Sequence, residues 1–533
     1  MGAEEGPPLR PRLSPWAPLQ HRIFRLLWLA VLASNIGTWM QTVGAQWLLV
    51  GLPNAATLVS LVQTADTLPD VFLAFPAGAL ADAFDRRRLL IGLQLFQVVV
   101  GVGLTALTFT GHLNAPLLLT FTFLLGAGSA MALSPYQALI PELVRRDELR
   151  AASALGGISI NLARAIGPAI AGLLIARIGV GAVFAINTTT FLFLIAVLLI
   201  WRRPIEAAAQ APERFLPALR AGGRYVRYSP VTRRILLRLG LFVIPATAIW
   251  ALLPLVAREL LGLGAEGYGL LLGALGGGAI AGAFALPQVS VRLSPNQMLG
   301  AASIVYALAM AVLVTVHHPL AACLVLVPAG AAWVVVLAEL NSTIQLFLPG
   351  WVRGRGLAAY QIVLFGSQAG AALVWGLLAN WTGLVVTFLV AAGVLLAGAA
   401  TIIVRPLFDV RGLNRDSSIV WPEPILGIEP ESDTGPILVA VTYTVAPERQ
   451  QGFLEAMRDL RLSRMRTGAI RWELYRDGEQ PTRFVEEYTV PSWEEHLRQH
   501  HGRLTGADVE IERRVDGFSD PPPQTAHLFP TSG

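Results

Sequence analysis

Long apolar segments recur from residue 25 to residue 404, and they constrain the fold more than any other feature of the sequence. A bilayer core about 30 Å thick is crossed by about 20 apolar helical residues. The segments of this length are approximately 25–50, 56–81, 89–110, 115–138, 157–177, 180–201, 234–257, 268–290, 297–316, 320–343, 356–378 and 384–404. They predict an all-α polytopic membrane protein with twelve transmembrane helices.

The composition agrees with a chain that largely avoids water. Only 14% of the residues are charged and the mean hydropathy is +0.57, whereas soluble domains are about 25% charged. The net charge of +5 is small for 533 residues, so we expect no nucleic-acid partner. The single cysteine, Cys323, lies in an apolar run and can build neither a disulfide framework nor a cysteine-based metal site.

Arginine is the only fixed positive side chain, because the chain contains no lysine, and its clusters fall in alternate loops of the membrane region. Arginine clusters precede the first span, separate spans 2 and 3, separate spans 4 and 5, and follow span 6, and the second half repeats this pattern. The positive-inside rule therefore places both termini in the cytoplasm of a multi-pass plasma-membrane protein. No cleavage-site pattern follows the first arginines, so we expect no removable signal peptide.

Two short motifs recur at nearly the same offset in the two parts of the membrane region. PELVR (141–145) returns as PGWVR (349–353), and GLLIARIGV (172–180) returns as GLLANWTGL (376–384). Such internal repeats predict two six-helix halves. The expected organisation is a cytoplasmic N-terminus at 1–22, an N-terminal six-helix half at 23–203, a cytoplasmic linker at 204–233, a C-terminal six-helix half at 234–408, a tether at 409–435 and a cytoplasmic domain at 436–530.

The C-terminal segment changes character from apolar runs to alternating and amphipathic patterns. Residues 437–445, 469–477 and 483–490 read as strands, and 447–466 reads as a helix. The resulting β-α-β-β-α-β order predicts an α+β ferredoxin-like domain. His496, His500 and His501 fall on one predicted helix, and His496 and His500 lie one helical turn apart, which suits zinc. No third ligand is evident, however, and we expect a solvated helix face.

The loop GALADAFDRRRLL (78–90) resembles the signature between spans 2 and 3 of the major facilitator superfamily (MFS). Its matching positions are Gly78, Leu80, Asp82, Arg86 and Arg87. The resemblance implies the MFS fold and a gate in which Gly78 permits close helix approach. It also implies that Asp82 faces the positive end of the eleventh span and that Arg86 pairs with Glu142. The alternative is that the arginines only determine the orientation of the helices across the membrane.

Spans 1 and 5 resemble one branch of that superfamily. TWMQTVGAQWLL and NLARAIGPAIAG are similar to the branch that contains enterobactin-type siderophore exporters and macrolide efflux proteins. AIGPAIAG (165–172) resembles the helix-packing signature of proton-driven antiporters, with Gly167, Pro168 and Gly172 matching. The resemblance implies secondary-active, proton-coupled efflux of a small organic or siderophore-like compound by alternating access. The alternative is that the chain is an MFS importer.

Ionisable residues inside membrane spans are functional hypotheses because burying them is costly. Asp66 and Asp70 share one face of span 2, and Arg164 reaches a similar depth from span 5. We expect an Asp66–Arg164 pair that either takes up and releases a proton or is purely structural. Asp70 ranks second, and Glu339 in span 10 is a further proton-coupling candidate.

A polar stripe at helical spacing follows span 1, with further amides on spans 2 and 5. These residues either line a substrate cavity or stitch helices together. They are Asn35, Thr38, Thr42, Gln46, Gln63 and Asn161.

The tail resembles the antibiotic-biosynthesis-monooxygenase-like dimeric α/β barrels in its element order, and no catalytic motif carries over. We therefore expect a transporter, not an enzyme, whose tail dimerises the chain or regulates it. The alternative is a transporter fused to an active monooxygenase-like enzyme domain. The expected partners are the lipid bilayer, a small-molecule substrate, protons and, through the tail, a second copy of the chain. No cofactor and no metal are expected.

Overall fold

The structure is a computed structural model that describes residues 14–201, 215–408, 426–428, 430–432 and 434–531. Most of the expected tether and of the N-terminal segment lies outside these residues, as do residues 204–214 of the expected linker. The helices of the first half are α1 (Arg22–Leu49), α2 (Ala55–Ala83), α3 (Arg86–Phe109), α4 (Ala115–Leu139), α5 (Leu149–Ile178) and α6 (Val180–Ile200).

The second half follows an amphipathic helix, α7, which spans Phe215–Tyr228. Its helices are α8 (Pro230–Leu255), α9 (Ala265–Arg292), α10 (Pro295–Thr315), α11 (Pro319–Phe347) and α12 (Arg353–Val404). α12 consists of two helical segments, because Gly383 adopts φ 82° and interrupts the helical backbone there. Only glycine takes this conformation without strain.

The predicted membrane fold is confirmed. Ten helices of the described residues are long and apolar enough to cross a bilayer, and α12 makes two passes around Gly383. α2 contains 29 residues and completes the set of twelve. The helix limits agree with the expected spans to within a few residues, except that α5 begins at Leu149 instead of near residue 157.

Helices α5 and α9 touch backbone to backbone. A Cβ atom added to Gly276 of α9 would lie 2.5 Å from the Cα atom of Ala165, and one added to Gly172 of α5 would lie 2.5 Å from the carbonyl oxygen of Ala265. No side chain larger than hydrogen fits at such distances, and small residues at membrane interfaces let helices approach in this way. The first and second halves are therefore in direct contact along these two helices.

The predicted helix-packing motif of span 5 lies on this contact and on the opposite contact with α1. A Cβ atom at Gly167 would lie 2.8 Å from the Cβ atom of Trp39, and one at Gly269 would lie 2.5 Å from the carbonyl oxygen of Pro168. Gly167, Pro168 and Gly172 are all buried. Glycine at these positions sets how closely α1, α5 and α9 pack.

The C-terminal domain has a four-stranded antiparallel sheet in the order β2-β3-β1-β4. Its elements are β1 (Ile437–Thr444), α13 (Gln450–Thr467), β2 (Arg471–Arg476), β3 (Arg483–Val490), α14 (Trp493–Arg498), α15 (Gly506–Asp516) and β4 (Gln524–Leu528). This is the predicted ferredoxin-like order. Alternate residues of β1 are buried, which gives the sheet one face toward the helices.

The sheet domain forms one compact unit with α7 and with residues 340–360. The guanidinium of Arg503 lies 5.0 Å from the ring centroid of Trp351, and Tyr225 of α7 meets the same tryptophan edge-on. Arg224 of α7 lies 3.6 Å from a carboxylate oxygen of Glu495. Within this unit, aromatic and charged contacts join the tail to segments that lie outside it in the sequence.

The α5–α9 contact predicts different outcomes at two neighbouring glycines. Gly276→Ala should lower the stability of the purified protein by about 1–3 kcal/mol, because the added methyl overlaps Ala165. Gly277→Ala is the matched control, because a Cβ atom there meets nothing within 4 Å, and it should be neutral or stabilising by up to about 1 kcal/mol. Thermal unfolding of both variants in detergent measures the difference, and equal melting temperatures would contradict the contact.

Candidate transport site

The loop between α2 and α3 contains the expected contact between Arg86 and Glu142. The guanidinium of Arg86 donates to Glu142 Oε1 at 2.8 Å and to the carbonyl oxygen of Ala138 at 3.0 Å. A charged donor bound to a carboxylate makes one of the stronger hydrogen bonds in proteins. The ends of α3 and α4 are thereby linked, and the function of this link as a gate latch stays a prediction.

Two other charged residues of this loop bind to helix ends. Neither role was assigned from the sequence. Arg87 donates from Nε to the carbonyl oxygen of Leu198 at 2.6 Å, at the C-terminal end of α6. Asp85 accepts a hydrogen bond from the backbone N–H of Arg88 at 2.8 Å and is the N-cap of α3. Aspartate is a preferred N-cap residue, so its place just before a helical run was the available signal.

Of the remaining gate positions, Gly78 does not fit the expectation, and the role of Asp82 stays a prediction. A Cβ atom added to Gly78 would meet no described atom within 4 Å, so close packing does not explain this glycine. The side chain of Asp82 lies outside the described residues.

Arg164 lies at the middle of α5 and beside a pair of adjacent tryptophans. Its guanidinium carbon is 5.6 Å from the ring centroid of Trp39 and 5.8 Å from that of Trp250. Its Nε atom is buried and has no hydrogen-bond partner within the described part of the chain. The expected ion pair with Asp66 is absent among the described residues, because Arg164 is directed at aromatic rings of α1 and α8 instead.

The carboxylate candidates lie on α2 and α11. Asp66 and Asp70 are half-buried, one helical turn apart, and flank the middle of α2. α2 packs tightly on α4 at this depth, since a Cβ atom on Gly126 would lie 2.6 Å from the carbonyl oxygen of Asp66. Glu339 is half-buried on α11.

The polar stripe of α1 divides into helix-stitching residues and residues bonded within their own helix. Asn35 donates to Ser159 of α5 at 3.2 Å. Gln46 is buried, accepts from the Tyr268 hydroxyl and donates to the carbonyl oxygen of Trp250 at 3.4 Å. Both residues therefore bridge helices.

The other members of the polar set bond mainly to nearby backbone. Thr38, Thr42 and Asn161 each donate to the carbonyl oxygen four residues earlier. The side chain of Gln63 is half-buried. All four residues are partly accessible, as cavity-lining residues would be.

The tail contains a buried polar network built on Glu486. This carboxylate is fully buried and accepts from the Tyr443 hydroxyl at 2.9 Å, from Trp472 Nε1 at 2.8 Å and from Arg464 Nε at 3.3 Å. Arg464 also pairs with Glu512 at 2.7 Å. A buried charge with this many partners is typical of a structural network.

The expectation of a solvated face is wrong for His496 and His500, whereas His501 is exposed as expected. His496 and His500 are buried, and their rings lie 4.8 Å apart. His496 Nε2 lies 3.1 Å from His527 Nε2 on β4, and the Trp493 ring covers His496. The cluster is brought together by the fold of the sheet. No group of three side chains within the described residues has a metal-binding arrangement.

The membrane helices of the described residues form two halves, and a charged loop joins α2 to α3. These features define a multi-pass membrane transporter of the MFS fold. A family model described as "Transmembrane secretion effector" matches residues 13–531. The chain belongs to that family, and the match includes the tail as well as the membrane region.

Three curated relatives are transporters. The multidrug efflux pump Tap of Mycobacterium bovis is 26% identical over 69% of this chain and 89% of its own length. The enterobactin exporter of Salmonella typhi is 29% identical over 57% of this chain and 73% of its own. The staphyloferrin A transporter of Staphylococcus aureus is 23% identical over 52% of this chain and 69% of its own.

Solved structures show the same fold. A point mutant of the nucleoside transporter NupG superposes with a TM-score of 0.58 at 11% identity, over 72% of this chain and 99% of that protein. A bacterial homologue of the lysosomal transporter Spinster, in an inward-facing conformation, superposes with a TM-score of 0.56 at 13% identity, over 73% of this chain and 95% of its own.

The link between Arg86 and Glu142 predicts rescue by charge reversal. Arg86→Glu and Glu142→Arg should each lower stability by about 1–2 kcal/mol, because one charge loses its partner and meets a like charge. The double variant should recover more than half of the summed loss in thermal unfolding. Arg88→Glu, at an exposed position in the same loop, is the control. Purely additive losses in the double variant would argue against the ion pair.

The histidine cluster predicts that acid weakens the tail. Burial lowers the pKa of His496 to about 3 and that of His500 to about 2. Below pH about 6.5 the unfolded chain takes up protons that the folded tail does not. Stability should therefore fall with decreasing pH, by up to about 1.4 kcal/mol per pH unit for each histidine.

Hydrogen–deuterium exchange of the full chain measures this dependence. Peptides from 437–528, corrected for intrinsic exchange, should lose protection between pH 7.5 and 5.5, and His500→Leu should lessen the slope. Protection that is independent of pH in the unaltered protein would refute the prediction.

Proposed function

We propose that this transporter exports a small organic or siderophore-like compound in exchange for protons. The observation that carries the proposal is the pair of half-buried carboxylates, Asp66 and Asp70, near the middle of a membrane helix. Carboxylates at this depth are costly and mark ion pathways. Neither forms an ion pair with a described arginine in this structure, so a proton is the simplest means of neutralising them when they face apolar surroundings.

The direction and the substrate class rest on the relatives. Their names specify export of enterobactin, transport of staphyloferrin A and efflux of multiple drugs. The contact between α5 and α9 joins the two halves, and rocking of the halves about such a contact would expose the carboxylates alternately to the two sides.

We further propose that both termini and the tail are cytoplasmic. The arginine-bearing loops, including the one with Arg145 and Arg146, alternate with loops that lack arginine, such as the one with His112. In a Cys323→Ala background, a membrane-impermeant maleimide should label His112→Cys and not Asp147→Cys in intact cells.

The tail is proposed to act without chemistry and to join two copies of the chain. The charges around Glu486 are satisfied by one another, and β2 and β4 are edge strands of the sheet, which can take part in association. Light scattering of the full chain and of a variant ending at residue 408 tests this. A dimer that persists without the tail would contradict it.

The carboxylate pair predicts separable effects on coupling and on transport. Asp66→Asn should reduce pH-driven transport at least tenfold and leave substrate exchange without a gradient largely intact, because the amide carries no proton. Inverted membrane vesicles with enterobactin and staphyloferrin A as probes measure both activities. Asp70→Asn should reduce pH-driven transport less. Unchanged pH-driven transport in both variants and in the double variant would exclude these carboxylates from coupling.

A further inference from the structure

Arg164 is a charge in the middle of a membrane helix without a counter-ion among the described residues. Placing a charged side chain at the centre of a span is energetically costly. Its buried Nε–H, which has no acceptor among the described residues, adds to this cost. Chains retain such a group when something else supplies the missing interactions.

The two tryptophans supply part of this compensation. A desolvated cation–π contact is attractive, and the rings of Trp39 and Trp250 both lie within about 6 Å of the guanidinium. Aromatic faces accept no strong hydrogen bond, however, so the in-plane N–H groups of the guanidinium stay available. The half-buried side chain therefore has two aromatic rings on one side, and its N–H groups are left for an acceptor.

The two tryptophans belong to a larger group of packed aromatic rings. The Trp250 ring lies 5.5 Å from that of Trp333 on α11, which in turn lies 6.3 Å from the ring of Tyr306 on α10. Trp39 lies 5.8 Å from Trp250 on the other side. Trp39 of the first half and Trp250 of the second half thus meet next to Arg164.

Hydrogen bonds hold Trp250 in this position. Its carbonyl oxygen accepts from Gln46 of α1, and Gln46 in turn accepts from the hydroxyl of Tyr268 on α9. Hydrogen bonds therefore link Trp250 to α1 of the first half and, through Gln46, to α9 of the second half.

We propose that Arg164, beside Trp39 and Trp250, recognises the anionic group of the transported compound, and that the substrates are small organic carboxylates with an apolar or aromatic body. A carboxylate matches the planar fork of a guanidinium and can accept two parallel hydrogen bonds from it. The proposal deepens the export function above and rests on it for the statement that the bound compound is carried across the membrane.

Equilibrium binding to the full chain in lipid nanodiscs tests the assignment. The probes are 2-naphthoate, the neutral 2-naphthamide and the cationic 2-naphthylmethylammonium, which share one ring system and differ in charge. 2-Naphthoate should bind at least tenfold more tightly than the other two. Arg164→Gln should remove this preference, and Arg164→Lys should retain part of it, because lysine keeps the charge and loses the planar fork.

Three results would overturn the proposal: no binding of 2-naphthoate, equal binding of the three probes, or an anion preference that survives in Arg164→Gln. A purely structural arginine would change the melting temperature of the variant without changing the order of the probes. Because binding is measured without a pH gradient, its failure leaves proton-coupled export untouched. Failure of pH-driven transport, conversely, leaves the binding preference untouched.

Discussion

The direct backbone contact between α5 and α9 is the constraint on which the rest of the membrane region depends. Gly276 and Gly172 allow it, because any Cβ atom there would overlap the facing backbone. The contact fixes the depth of α5 and so holds Arg164 next to the ring of Trp250 from the other half. As a consequence, a charged side chain of the first half lies next to an aromatic ring of the second half. A binding site between two moving halves needs such residues from both of them.

Much of the fold follows from the sequence by simple physics. Hydrophobic length predicts the twelve spans because a bilayer sets one length scale, and residues 437–490 show the alternation of a half-buried sheet. The contact of Arg86 with Glu142 was expected only through resemblance to a family. Asp85 was predictable in principle as an N-cap, since capping is local.

The side-chain partners of the interior were not predictable in the same way. Pairing Arg164 with Asp66 assumed that opposite charges at equal depth meet, but the rotation of each helix decides which side chains face each other. That rotation is set by glycine contacts such as those of Gly167 and Gly276. His496 and His500 looked solvated because helical spacing does not show which face is covered, and β4, which brings His527 to them, lies far along the chain.

The central claim is that one cation and the aromatic rings around it form the binding site of an export machine. An electron cryo-microscopy structure of the full chain in nanodiscs with 2-naphthoate tests it most directly. The account predicts ligand density next to Trp39 and Trp250, with the carboxylate within hydrogen-bond distance of Arg164. Density for the ligand at another place, with the guanidinium of Arg164 still in contact with the two tryptophans alone, would contradict it.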